Sequence, residues 1–94
     1  MTDVHSALVS VIRWEAGRLT AALVHLLGDF ALAEEIVQDA LLVALERWPI
    51  DGIPDRPGAW QLTVARRRAL NYLSRDARYR VKLAQLEQQS PGAR

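Results

Sequence analysis

An all-α bundle is the fold this sequence predicts, and three observations predict it. Apolar residues recur at helical spacing along most of the 94 residues, no run alternates with period two, and glycine and proline gather where the periodic stretches break. A chain of this length makes one small domain, with a core only just large enough to fold alone. There is no cysteine, so neither disulfides nor a thiolate metal site can supplement packing, and nothing hints at an oxidising compartment. The apolar runs are short and the N-terminus lacks the basic-then-apolar plan of a signal peptide. A cytoplasmic protein with no membrane span is the expectation.

The first helix is expected from about Asp3 to Leu27, with Val4, Leu8, Val11, Ile12, Leu19, Ala22, Leu23 and Leu26 as its buried stripe. Glu15 and Gly17 interrupt that stripe, which predicts a kink or break near Gly17. Gly28 and Asp29 read as a C-terminal glycine followed by the N-cap of a second helix, a tight antiparallel connection. That helix, "FALAEEIVQDALLVALERW", is expected to end before Pro49. The stretch "PIDGIPDRPGA" then reads as a loop, with Pro57 suited to the first turn of a third helix carrying "GAWQLTVARRRALNYLSRDARYR" and fraying toward Gln89. Residues 1–89 form the expected domain, and "SPGAR" at 90–94 reads as the start of a linker.

Charge is segregated along the chain. Up to Asp55, three arginines face nine acids for a net of −6; from Arg56 onward nine cations face two acids for a net of +7. Eight of those nine cations are arginine, whose planar donor fork suits phosphates and base edges better than the point charge of lysine. Charge alone does not separate a solvated basic face from a polyanion-binding one.

Placing residues at 100° intervals gives more. In the second helix Leu32, Ile36, Ala40, Val43 and Ala44 share the core side. Glu35, Gln38, Asp39, Leu42 and Glu46 fall on the opposite side, an acidic face with a leucine set in it. In the third helix Leu62, Ala69, Leu70, Leu73 and Ala77 make the packed side, and Trp60, Val64, Arg67, Arg68, Asn71, Ser74, Arg75 and Arg78 spread over the other. An exposed face that mixes an aromatic, an amide and four arginines has the composition of a nucleic-acid surface. Arg66 falls inside the apolar stripe, where it is expected to pair with an acid of the second helix. Trp60 reads as a core anchor or a base platform; Trp14, Trp48, Tyr72 and Tyr79 read as packing residues.

The run "LAEEIVQDALLVALERW", a proline-containing loop and then "AWQLTVARRRALNYLSR" resemble the second conserved region of bacterial sigma factors, most closely the small extracytoplasmic-function type, over roughly Leu19 to Arg80. The resemblance implies a compact three- to four-helix bundle. It implies that Glu35, Gln38, Asp39 and Leu42 contact the coiled coil of the polymerase β′ subunit. It also implies that the helix from Trp60 to Arg78, with the loop before it, melts and reads the promoter minus-ten element as a single non-template strand. Arg67, Arg68, Arg75 and Arg78 then follow phosphates, Trp60 offers a platform, and Asn71 can present both donor and acceptor to a base edge. Ile53, Asp55 and Arg56 wall a pocket for a flipped base, where a carboxylate can accept from an exocyclic amine. The plainer role for Asp51 and Asp55 is to cap turns or the third helix.

Partners implied are RNA polymerase core and promoter DNA, with room for an anti-sigma factor. Nothing resembling the family's helix-turn-helix domain precedes Arg94, and the linker-like end favours one domain of a longer protein. Catalysis is not expected: His5 and His25 stand twenty residues apart with no Gly-rich phosphate loop and no ordered triad, and no metal or cofactor is implied. Two other readings stay open, a helical protein-interaction module without DNA binding and a generic double-stranded DNA-binding bundle.

Overall fold

A computed structural model describes residues 3–89. It contains four helices and, among the described residues, no strand: α1 (Val4–Trp14), α2 (Ala16–Leu27), α3 (Phe30–Asp51) and α4 (Pro57–Gln89). The all-α bundle expected from periodicity is what forms.

Each start and stop has a local cause. Asp3 caps α1, its carboxylate accepting from the Ser6 backbone N–H at 2.7 Å. That N–H, and after it the Ser6 hydroxyl, holds the Asp3 carboxyl below its ordinary value. The break expected near Gly17 is present and falls at Glu15, dividing the first helical stretch into α1 and α2. Glu15 adopts φ −119° and ψ −25°, yet its N–H still donates to the Val11 carbonyl at 2.8 Å and its carbonyl accepts from Leu19 at 2.9 Å. The axis therefore bends while the hydrogen-bond ladder survives. Gly28 ends α2 in the left-handed region at φ 69°, and Asp29 caps α3 by accepting from the Leu32 N–H at 3.0 Å, both as expected.

A boundary expectation fails at Pro49, which lies inside α3 rather than beyond it. Proline removes one N–H and so one bond of the last turn, but the bond from the Gly52 N–H to the Trp48 carbonyl at 2.9 Å closes the turn around it. Gly52 then stops α3 at φ 91°, a backbone setting that side chains disfavour. After four residues Pro57 opens α4, and the Arg56 carbonyl accepts its first bond from Trp60 at 3.0 Å. No capping bond from Asp55 is present, so the capping role expected for it is not seen. Asp51 instead pairs with Arg47 at 3.2 Å, one turn back on α3.

α3 is the hub, in contact with the other three helices, and α2 and α4 also pack on each other. The core joins Val11 of α1, Leu19 and Leu23 of α2, Ile36, Val37 and Trp48 of α3, and a row of fully buried alanines: Ala33, Ala40, Ala44, Ala65 and Ala69. Alanines at the contacts let the α3 and α4 backbones approach closely. Trp48, 2% exposed, fills the end of that seam, and Trp60 meets it edge to face with ring centroids 5.3 Å apart. One polar residue is buried with them: Gln61, whose Oε1 and Nε2 find no partner among protein atoms.

Several packing assignments are overturned. Ile12, Ala22 and Leu26 are exposed although Val11, Leu19 and Leu23 are buried, because the break at Glu15 shifts the helical phase between α1 and α2 and one continuous wheel fits each only in part. Leu70 and Ala77 are exposed too. α4 outruns its neighbours: every residue from Ala77 to Gln89 is exposed, and the molecule measures 66 × 25 × 15 Å. Tyr79 stands in that uncovered part, Tyr72 is exposed before it, and Trp14 is 70% exposed, so only Trp48 of the four expected packing aromatics is core.

Candidate nucleic-acid and polymerase interfaces

The outer face of α4 carries the arginine row. Arg67, Arg68, Asn71, Arg75 and Arg78 are all exposed, and Trp60 is half-buried at the head of the row. At 1.5 Å per residue the row from Trp60 to Arg78 spans about 27 Å. Two ion pairs form among the described residues, Arg47 with Asp51 and Arg80 with Asp76, so Arg67, Arg68, Arg75 and Arg78 have no acid within 4.0 Å. Among the described residues no acid compensates their charge. Arg66 is likewise exposed and unpaired among the described residues, against the expected bond to an acid of α3; it borders a depression beside Leu23, Leu26 and Leu62.

The structure sorts the candidate DNA residues into separate hollows. Trp60, Arg67 and Arg68 line a cavity of about 460 Å³ between α3 and α4, with Arg47, Asp51 and Thr63. The Thr63 hydroxyl turns back to the Ala59 carbonyl at 3.0 Å, and the Arg47–Asp51 pair partly neutralises that rim. Arg75 and Arg78 line a shallower hollow of about 300 Å³ with Tyr79 and Lys82. Asn71 lines neither. Ile53 and Asp55 border a third cavity, formed with α1, in which Arg56 takes no part. The loop residues and the arginine row therefore do not share one pocket.

On α3, Glu35, Gln38 and Leu42 are exposed, Leu42 by 58%, and Asp39 is half-buried. Among the described residues neither Glu35 nor Asp39 is paired. Leu45, exposed one turn beyond Leu42, extends the apolar centre of this face and was not foreseen. Arg47, Thr63, Tyr79 and Lys82 were also missed. Arg47 had a signal, as a cation one turn before Asp51 in the acidic half; Tyr79 and Lys82 follow Arg75 at i+4 and i+7 on α4, a helical spacing legible in the sequence, and only Thr63 acquires its place from where α3 ends against α4.

Among the described residues no group of three or more His, Asp or Glu is placed to hold a metal ion. No described helix is long and apolar enough to cross a membrane.

Comparison with known proteins fits this geometry. The sequence profile described as "Sigma-70 region 2" matches residues 11–79, and the chain belongs to that family. Sigma-70 region 2 is a domain of transcription initiation factors, with a role in RNA polymerase binding and promoter recognition, and is not an enzyme family. The chain is also 37% identical over 57 residues to an uncharacterized protein of Rhizobium meliloti (strain 1021), an alignment that covers 61% of this chain and 14% of that protein. The chain thus spans a small part of its relative's length. No solved structure matches.

Proposed function

We propose that residues 1–89 are the region 2 domain of an extracytoplasmic-function-type sigma factor in the bacterial cytoplasm, with 90–94, which lie outside the described residues, opening a linker. In this reading α3 binds the coiled coil of the polymerase β′ subunit through Glu35, Gln38, Asp39 and Leu42. α4 holds the displaced non-template strand of the minus-ten element along Arg67, Arg68, Arg75 and Arg78, with Trp60 and Asn71 toward the bases and Ile53, Asp55 and Arg56 near a flipped base. An anti-sigma factor is a further partner that either face would suit.

The observation that carries this reading is the row of unpaired arginines headed by a half-buried tryptophan. A strand of phosphates neutralises such a row and releases counterions, and an aromatic gives a sequence-tolerant stacking surface. A purely solvated face needs neither. Affinity for a single-stranded minus-ten oligonucleotide should fall steeply with salt, with the log–log slope shrinking by about 0.7 for each arginine replaced by alanine. A salt-independent affinity, or slopes unchanged in the variants, would refute the phosphate contacts. Equal binding to duplex DNA of any sequence would instead support the generic duplex-binding reading. For α3, Asp39→Lys should weaken capture of core polymerase while helicity by circular dichroism stays intact; undiminished capture would remove Asp39 from the contact.

A further inference from the structure

Arg66 is the one member of the arginine triplet that the strand-binding row leaves out. At 100° per residue it stands about 160° from Arg68 around α4, on the side that turns to α2. There it borders a hollow of about 470 Å³ between α2 and α4, with Ala22, Leu23, His25, Leu26 and Leu62. Leu23 is buried and Leu62 half-buried, so they make an apolar floor, whereas Leu26 keeps 39% of its surface exposed on one rim. Leu70, one turn beyond Arg66 on the same side of α4, is 52% exposed and carries the apolar surface onward. Single exposed leucines are ordinary. A groove between two helices, with leucine at its floor and on both sides, is a docking surface. Its polar groups select the occupant. No acid lines the groove, and its donors are the Arg66 guanidinium and the His25 imidazole, both exposed. Among the described residues Arg66 has no carboxylate within 4.0 Å. A guanidinium beside leucine favours a carboxylate carried on an apolar surface, because excluding water strengthens their planar two-bond pairing. A phosphate strand supplies the anion but no cover for the leucines.

We propose that the groove between α2 and α4 receives an acidic amphipathic helix of a protein partner, which seats a large apolar side chain on Leu23 and Leu62 and a carboxylate on Arg66. The acid that Arg66 was expected to find on α3 then comes from outside the molecule. From Leu62 to Leu70 the groove runs about 12 Å along α4, a little over two helical turns, so apolar side chains at i, i+4 and i+7 of the partner reach both ends. No residue of α3 lines the groove, and Arg66 lies across α4 from Arg68, so a helix seated here leaves the acidic face of α3 and the arginine row uncovered. The proposal stands apart from the single-strand reading, since it uses none of the residues assigned to DNA or to polymerase.

The test titrates the 94-residue chain with a synthetic helical peptide that carries leucine at i, i+4 and i+7 and glutamate on either side, followed by amide NMR, beside a matched peptide with lysine for glutamate. The glutamate peptide should shift the resonances of Leu26, Leu62, Arg66 and Leu70, and bind about tenfold more tightly than the lysine peptide. Arg66→Gln should weaken it about tenfold, in the range for loss of one charge-assisted pair, and Arg66→Glu should reverse the preference between the two peptides. Leu70→Ser should weaken the glutamate peptide while leaving its preference over the lysine peptide. Both positions are exposed, and circular dichroism of each variant confirms the fold. The salt slope for a single-stranded oligonucleotide should be the same in Arg66→Gln as in the parent; a fall of about 0.7 would assign Arg66 to the strand surface and overturn the proposal. It is equally overturned if the two peptides bind alike, or if the glutamate peptide shifts Arg67, Arg75 and Arg78 in place of the groove or shifts nothing. Groove shifts with decanoate but not with the peptide would make the site one for a small carboxylate, and groove resonances that move with protein concentration alone would put a second copy there; either result ends the proposal.

Discussion

Gln61 shows how much a single residue can reveal about this core. It sits on α4 facing the seam that Trp48 fills, fully buried, with both amide atoms unpartnered by protein atoms. A buried polar atom without a partner loses its hydration, a cost of about 1–3 kcal/mol, whereas an apolar residue of similar shape avoids that cost. Gln61→Leu should therefore leave stability unchanged or raise it by about 1 kcal/mol, read as a higher denaturant midpoint at constant slope. Gln61→Ala should lower it, because a cavity replaces the side chain. A Gln61→Leu variant as unstable as Gln61→Ala would mean that the amide is satisfied through ordered water. Helical spacing did not single out Gln61, because glutamine enters a pattern of apolar positions as a gap. The fully buried Ala65 and Ala69 were partly legible: Ala69 was placed on the packed side and Ala65 was not, since alanine fits either face of a helix.

At the level of elements, glycine conformation decides two of the three main boundaries. Gly28 and Gly52 both have positive φ, but they are not equivalent. Gly28, at φ 69° and ψ 17°, occupies the ordinary left-handed region, which asparagine tolerates. Gly52, at φ 91° and ψ 159°, lies in a region almost confined to glycine. Gly52→Ala should cost about 1–3 kcal/mol and Gly28→Asn much less, measured by thermal or urea unfolding. Nothing lies within 4 Å of an added Cβ at either position, so any cost comes from the backbone and not from a clash. Equal effects at the two sites would count against this account. Gly28 was read correctly from the Gly-Asp pair, because a left-handed cap and an N-cap are both local signals. Pro49 misled for the same reason: proline is a local signal against helix, and here the turn around it is completed by Gly52 and held by the buried Trp48 beside it.

On the scale of the whole molecule, the distal part of α4 stands apart from the bundle. From Ala77 to Gln89 no residue is buried, and an isolated helix of about 13 residues is marginal in water, so this stretch stays helical by propagation from the anchored half. The pair of exposed Arg80 and half-buried Asp76 at 3.0 Å adds about a few tenths of a kcal/mol. A chain ended after Arg80 should lose helical signal in proportion to the residues removed, yet keep its melting temperature within about 3 °C. A larger fall would show that the distal helix supports the bundle. The same cut removes Lys82 from the hollow it shares with Arg75 and Arg78, and so should trim the salt dependence of DNA binding slightly.

What the amino-acid sequence determined by itself was the helical class, the Gly28–Asp29 turn, the start of α4 at Pro57, the acidic exposed face of α3 and the arginine row of α4. Each rests on local chemistry or on periodicity within one unbroken helix, where neighbours in sequence set the relation between side chains. What only the tertiary structure decided was where α3 stops covering α4, how far the bend at Glu15 rotates α1 against α2, and which candidate residues share a hollow. Those depend on helix lengths and crossing positions set by packing among residues distant in the chain. Trp14 is the clearest case: it was read as a packing residue because it is a tryptophan, and the end of α1 one residue later leaves its ring in solvent beside a loop forty residues downstream.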